Sequence, residues 1–211
     1  MSDPRRQRAY VTRAGEKLEA ALRAFSLNPA GRVCADLGSH EGGFVDCLLK
    51  HGAVRVYSVD TSYGTLAWTL RRDPRVVVFE RTNAMHVALP EPIDLTTIDV
   101  GWTRLGLVLP NVARWLKPDG RVIALVKPHY EADPGQLRGG VLDDEAVDLI
   151  VGAVLRAATD AGWTVCDRVD SPLVGHGGNR EVLAMLARSD APNPPPKAHD
   201  MKGFPPGTPP R

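Results

Sequence analysis

Asp36-Leu37-Gly38-Ser39-His40-Glu41-Gly42-Gly43-Phe44 sits between two patterns of different period. Before it, Arg32–Leu37 is a short apolar run of strand length; after it, Phe44–His51 carries apolar residues at helical spacing. A strand that turns through glycines directly into a helix is the opening unit of a doubly wound α/β sheet. Gly38 and Gly42 permit positive φ and let a ligand approach the backbone, while the start of the helix offers N–H groups without partners. A dinucleotide site would want Gly-x-Gly-x-x-Gly, whereas this loop reads Gly-x-x-x-Gly-Gly with Asp36 at its head. Asp36 would repel a pyrophosphate but suits an amino group. A cofactor with a zwitterionic amino-acid end, such as S-adenosylmethionine, therefore fits better than NAD. Taken alone, the loop also suits a purely structural turn.

Outward from this loop, β-branched runs alternate with helical patterns, as expected for parallel strands buried on both faces. The remaining strands are expected at Arg55–Val59, Val76–Phe79, Leu95–Val100, Arg121–Val126, Thr164–Val169 and Val182–Ala187. Helices are expected at Arg13–Phe25, Thr65–Arg72, Leu105–Leu116 and Asp143–Ala161, the last capped by Asp143 and closed by Gly162. Pro118-Asp119-Gly120 reads as a turn between the helix before it and the strand after it. The resulting organisation is a basic helical arm over residues 1–30, one α/β domain over 31–188 and a disordered tail over 189–211. Residues 191–211 of that tail hold eight of the 18 prolines.

The chain of 211 residues has room for one core. No apolar run reaches the roughly 20 residues of a membrane helix, and MSDPRRQRAY lacks the apolar segment of a secretory signal, so a cytoplasmic protein without membrane attachment is expected. Cys34, Cys47 and Cys166 are odd in number and widely spaced, which argues against disulfides and structural zinc; the histidines show no metal-ligand spacing, so no metal is expected. A net charge of +1 excludes nucleic-acid binding by bulk charge alone. Arg5, Arg6, Arg8, Arg13, Lys17 and Arg23 nevertheless concentrate positive charge at the start, which suits either a phosphate backbone or a solvated surface.

Asp60 ends the second strand about 20 residues beyond the glycine loop, where this fold places the acid that accepts hydrogen bonds from a ribose diol. Asn83, after the third strand, falls where an adenine edge would lie, although taken alone it reads first as a turn residue. Asp99 and Lys127 end their strands at the carboxyl edge of the sheet, where open α/β domains bind ligands. A lysine closing so apolar a run as Val122–Val126 needs a partner, and Asp99 is the candidate. Lys17 and Glu181 complete a set suited to deprotonating a hydroxyl as an electrophilic methyl arrives in line. A neutral lysine would act as general base, a charged one as an electrostatic stabiliser of the alkoxide.

The segments Tyr10–Leu18, Gly42–Leu49, Val59-Asp60, Tyr63–Trp68, Glu80–Asn83, Thr97–Val100, Val126–Pro128, Arg138–Val141 and Gly178–Glu181 together closely resemble the TlyA (hemolysin-type) RNA methyltransferases of the FtsJ-like group. The resemblance spans about residues 10 to 187. It implies a Rossmann-like methyltransferase fold with a seven-stranded, mostly parallel sheet, S-adenosylmethionine as methyl donor, and 2′-O-methylation of a ribose in ribosomal RNA, the alternatives being a different RNA or hydroxyl acceptor, or a non-catalytic RNA assembly factor that binds the cofactor. It also implies a catalytic Lys-Asp-Lys-Glu tetrad at Lys17, Asp99, Lys127 and Glu181. The cofactor would lie against Asp36, Gly38, Gly42, Gly43 and Phe44, with Asp60, Asn83 and Asp99 beside it.

The sequence departs from the family pattern in three places. Family members usually carry a small RNA-binding domain ahead of the Tyr-Val-x-Arg segment, and here nine residues precede Tyr10. The arginine-rich start and the face around Lys17 are then the expected RNA contacts. Ser39-His40-Glu41 replaces small residues and brings a negative charge to the methionine end. Gly101-Trp102-Thr103-Arg104 replaces a Ser-Phe-Ile-Ser type segment; a large aromatic such as Trp102 is expected in the core, with base stacking as the alternative. Tyr130 and Glu131 suit either the substrate mouth or loop packing.

Overall fold

In the computed structural model, residues 9–190 except Arg138 are described. Residues 191–211 of the expected disordered tail and the arginines at positions 5, 6 and 8 lie outside these residues, whereas the first two residues of that tail are ordered, the Ser189 amide donating to the Gly162 carbonyl at 3.0 Å and Asp190 pairing with Arg188 at 2.8 Å. β1 (Val33–Leu37), β2 (Arg55–Val59), β3 (Val76–Phe79), β4 (Ile93–Ile98), β5 (Leu116–Val126), β6 (Trp163–Asp170) and β7 (Val182–Arg188) form one sheet in the order β3-β2-β1-β4-β5-β7-β6. The first five are mutually parallel, and β7 runs antiparallel to both β5 and β6. The helices are α1 (Ala14–Ala24), α2 (Gly43–Lys50), α3 (Trp68–Arg71), α4 (Leu105–Val112), α5 (Pro128–Glu131) and α6 (Asp144–Asp160).

Because side chains alternate across a strand, each apolar run feeds two cores. Ala35, Leu37, Tyr57, Val59, Val122, Ala124 and Val126 face one side, packed with Val108 and Val112 of α4 and Val147 and Val151 of α6. Cys34, Val56, Ile123, Leu125 and Leu183 face the other, packed with α1 and α2 through Leu18, Ala21, Leu22, Phe44, Val45 and Leu48. The first helix is thus part of the core, and Leu18 is wholly buried. Burial of one such leucine contributes roughly 1.5–3 kcal/mol.

Punctuation explains most boundaries. Asp143 accepts a hydrogen bond from the Ala146 amide at 2.8 Å and starts α6; Gly162 follows it at φ +86°. Two expectations need correction. The helix expected at Thr65–Arg72 shortens to α3, because Ala67 is extended at ψ 136°. Pro118-Asp119-Gly120 does not precede β5 but lies inside it: Leu116 pairs with Ile93, Arg121 pairs with Leu95, and the intervening residues form an irregularity. Lys117 there binds Asp94 at 2.6 Å. The helix before it correspondingly ends at Val112 instead of Leu116.

Candidate active site

The alternation that builds the cores also gathers the polar residues. Asp36 shares a face of β1 with Cys34, and Thr97 and Asp99 follow Leu95 at even spacing along β4 and beyond its end. Lys127 follows Leu125 in the same way. Val126 pairs with Val182 in the antiparallel ladder, so Lys127 and Glu181 continue that ladder by one step. All lie at the carboxyl edge of the parallel strands, on the side covered by α1, which carries Lys17.

The four tetrad candidates meet as two ion pairs. Lys17 Nζ donates to Glu181 Oε2 at 2.5 Å, and both side chains are buried. Lys127 Nζ lies 2.6 Å from Asp99 Oδ1, and donates more weakly to the backbone carbonyls of Asp99 at 3.3 Å and Val100 at 3.2 Å. Three acceptors match the three N–H groups of an ammonium. The Lys17–Glu181 pair is sealed in protein, whereas Lys127 and Asp99 border a cavity of about 630 Å³. Removing one member of a buried pair costs about 3–5 kcal/mol, so each pair also holds its elements together.

Small residues and a polar clamp fix the acids. A Cβ on Gly175 would stand 2.2 Å from Glu181 Oε1, so with any other residue there the turn before β7 or the carboxylate beneath it must shift. Asn179 donates to the Gly140 carbonyl at 3.0 Å and accepts from the Leu142 amide at 3.3 Å, tying the Gly139-Gly140 loop to this turn.

The glycine loop forms the other wall. Gly38 at φ +85° runs so close to β4 that an added Cβ would lie 2.6 Å from the Asp99 carbonyl, and Gly42 has φ +96°. Gly43 makes room for α1, since a Cβ there would meet Thr12 Oγ1 at 2.2 Å. Gly43 and Phe44, with Asp36, Gly38, Glu41 and Asp99, line a recess of about 90 Å³ behind the main cavity; the Phe44 ring is also packed in the core. Asp60, Asn83, Gly38 and Asp99 line the main cavity. Asn83 Oδ1 also accepts from the Met85 amide at 2.8 Å, so the residue both makes a turn and faces the cavity.

Electrostatics separate the two loop acids. Asp36 is buried; Thr97 donates to its Oδ1 at 2.6 Å, and its Oδ2 has no hydrogen-bond partner among the described residues. Burial pushes this carboxyl up to about 8, against the Thr97 hydrogen bond and helped by the charges of Asp99 and Asp60. Burial also acts on Asp60, but the Ser62 hydroxyl and amide and the His40 amide overcome it and hold Asp60 below the usual carboxylate range.

Trp102 corrects an expectation: it is 86% exposed, with φ +59°, and does not enter the core. Its ring lies 4.6 Å from that of Tyr130, tilted by 34°, and both border the main cavity beside Lys127. Glu131 faces the other way, accepting from the Leu105 amide at 2.7 Å to start α4, and burial raises its carboxyl. The support that Thr97 gives Asp36, and the hydrogen bond from Ser58 to Ser39 at 2.7 Å, are not evident in the sequence. Their only signal is a hydroxyl at an even step along an otherwise apolar strand.

Comparison with known proteins matches residues 10–188 to the model of the FtsJ-like methyltransferases. The chain belongs to the FtsJ-like methyltransferase family. It is 42% identical over 185 residues to the 16S/23S rRNA (cytidine-2′-O)-methyltransferase TlyA of Mycobacterium tuberculosis, covering 85% of this chain and 69% of that protein. It is 35% identical over 181 residues to Hemolysin A of Brachyspira hyodysenteriae, covering 83% of this chain and 75% of that protein. A solved structure from Streptococcus thermophilus, provisionally called a hemolysin, superposes with a TM-score of 0.84 at 36% identity, covering 88% of this chain and 70% of that one.

The methyl donor of this FtsJ-like enzyme is S-adenosylmethionine. The residues present fit it: Asp36, whose Oδ2 has no partner among the described residues, lines a recess that can take an ammonium, and Gly38 borders both that recess and the main cavity. The cavity also falls in the usual size range of a small-molecule site, roughly 300–1,000 Å³. Among the described residues, no helix is long and apolar enough to cross a membrane.

Proposed function

We propose that the chain transfers a methyl group to the 2′-hydroxyl of a ribose in ribosomal RNA. The observation that carries this reading is Lys127, paired to Asp99 at the edge of the main cavity and backed by the buried Lys17–Glu181 pair. When bound, S-adenosylmethionine supplies an electrophilic methyl group. Asp36 would hold its ammonium, Gly38 and Gly42 would admit its chain against the backbone, and Asp60 would accept from its ribose hydroxyls. Asn83 would lie by the adenine, while Gly43 and Phe44 shape the recess.

Lys127 is the group that meets the acceptor hydroxyl. Its contacts to the two backbone carbonyls are long and yield readily to a shorter hydrogen bond from Nζ to the hydroxyl oxygen. Asp99 holds the ammonium in line, and a positive charge at that point stabilises the alkoxide character that develops as the hydroxyl attacks; as the oxygen–methyl bond forms, the hydroxyl proton passes to the Asp99 carboxylate or to water in the open cavity. Lys17 and Glu181 act as positioning residues beneath it. Trp102, turned outward by a left-handed backbone that a bulky side chain rarely adopts, offers with Tyr130 a surface for the base of the acceptor nucleotide. The relative named as a 16S/23S rRNA cytidine-2′-O-methyltransferase supports ribosomal RNA as the acceptor and cytidine as the nucleotide to look for first.

The test is transfer of labelled methyl to purified rRNA and to intact ribosomal subunits, followed by digestion to nucleosides. Wild type should yield a 2′-O-methyl nucleoside. Lys127→Ala should lower the rate at least about 100-fold, the lower range for a positioned acid–base or electrostatic group, with cofactor affinity within about threefold. Full activity in that variant would remove Lys127 from the mechanism, and label on a base or on another RNA would replace the acceptor.

A further inference from the structure

Beside the main cavity, the loops around β2 and β3 carry four arginines with unequal surroundings. Arg71 donates to Glu80 through both terminal guanidinium nitrogens, and Arg75 binds Asp73 at 2.8 Å. Among the described residues Arg72 and Arg81 form no ion pair within 4.0 Å, although the charge of Arg81 is felt by Glu80, and these two lie over exposed aromatic rings. The Arg81 guanidinium is 4.4 Å from the centre of the Tyr63 ring, and that of Arg72 is 5.9 Å from the centre of the Trp68 ring. Tyr63 is 69% and Trp68 67% exposed.

The surrounding backbone holds these stacks in place. Arg81 has φ +51°, and its amide donates to the Ser62 carbonyl at 3.1 Å. Glu80, already clamped by Arg71, also accepts from the Gly64 amide at 2.7 Å, and Asp60 fixes both sides of the double turn through the Ser62 amide and the Thr82 amide. Thr61 and Thr82, next along the chain, line the cavity. Ala67, just before Trp68, donates to the Glu41 carbonyl in the glycine loop. One stack therefore stands at the cavity rim and the other against the cofactor loop.

We propose that Tyr63–Arg81 and Trp68–Arg72 form a binding surface for single-stranded RNA flanking the acceptor nucleotide. This deepens the function proposed above and rests on its RNA acceptor. Exposed rings accept bases of any sequence on their faces, and an unpaired guanidinium beside each ring can stack on a base or bind the adjoining phosphate. A duplex keeps its bases stacked internally and gives such rings little to hold, so the surface should distinguish strand from helix.

Fluorescence anisotropy of the full chain with a labelled 12-nucleotide single-stranded RNA, and with the same RNA annealed to its complement, tests this directly. Wild type should bind the single strand more tightly. Tyr63→Ala/Trp68→Ala should weaken that binding roughly tenfold or more, Tyr63→Phe should retain it, and Arg72→Glu/Arg81→Glu should weaken it and reduce its salt dependence. In the methyl-transfer assay the double alanine variant should raise KM for rRNA with kcat within about twofold, and S-adenosylmethionine should still raise its melting temperature. Equal affinity of wild type and the alanine variant for the single strand would overturn the surface, as would wild type favouring the duplex. If wild type binds the single strand through these residues yet methylates no rRNA, the acceptor reading fails and the surface stands; if it methylates rRNA with the variant's KM unchanged, the reverse holds.

Discussion

At the scale of the residue, Asp36 shows how the site stores its requirement for a cation. Its carboxyl is buried with one oxygen unsatisfied, and burial carries it from 3.8 up to about 8. A carboxyl raised in the folded state binds more protons there than in the unfolded chain, so the stability it contributes is full below about pH 4 and is lost as pH rises through 8. The cofactor-free protein should accordingly lose melting temperature between pH 6 and pH 8 from this group. Asp36→Asn should flatten that part of the profile, and at pH 8 the variant should be more stable than wild type by about 1–3 kcal/mol, the cost of a buried unpaired polar or charged group. The same variant should lose most of its affinity for S-adenosylmethionine. Thermal melts of both proteins across pH, with and without the cofactor, check the two halves together. A wild-type profile parallel to that of Asp36→Asn would show that Asp36 is already compensated.

At the scale of the element, the turn between β6 and β7 illustrates how a backbone can serve a side chain. Gly175 passes within 2.2 Å, measured from its ideal Cβ position, of Glu181 Oε1, so Gly175→Ala forces either the turn or the carboxylate to move. Because Glu181 also holds Lys17 at 2.5 Å through Oε2, a shift of the carboxylate away from the new methyl group loosens a buried ion pair. The expected result is a fall in kcat of tenfold or more and a loss of about 2–4 kcal/mol in stability, with cofactor affinity near wild type; steady-state kinetics and denaturant titration measure both. Such a dependence is invisible in sequence, because Gly175 reads only as a turn residue. What periodicity conveyed well was the core: the apolar strands and the helices at Arg13–Phe25 and Asp143–Ala161 are where alternation, helical spacing and caps place them. It failed where tertiary pairing overrides local pattern. Ile93 takes Leu116 into the sheet beyond a Pro-Asp-Gly turn signal, and Trp102, large enough for any core, is turned outward by a positive φ. In the site, strand ends pointed to Asp36, Asp60 and the Lys127–Asp99 pair, but the Lys17–Glu181 pair depends on α1 packing over the sheet.

At the scale of the whole molecule, that crossing joins the two ends of the chain. Lys17 and Glu181 are 164 positions apart, and between them α1 covers the face on which the site is built. A basic helical arm would be separable from the α/β domain, yet Leu18, Ala21, Leu22 and Phe25 are buried among Phe44, Val45, Leu48, Ile123 and Leu183. Burying Leu18, Leu22 and Phe25 is worth roughly 4.5–9 kcal/mol in sum, at about 1.5–3 kcal/mol each, against a total stability of about 5–15 kcal/mol for a domain. Deleting residues 1–29 would expose that apolar face and leave Glu181 buried without its lysine. The deletion variant should therefore show no cooperative thermal transition by circular dichroism and no stabilisation by S-adenosylmethionine. Lys17→Met, which keeps the apolar stem but removes the ammonium, should instead fold cooperatively with reduced stability and little methyl transfer. A deletion variant that melts cooperatively within a few degrees of wild type would make α1 an appendage, and the site would then have to be assembled by β4, β5 and β7 alone.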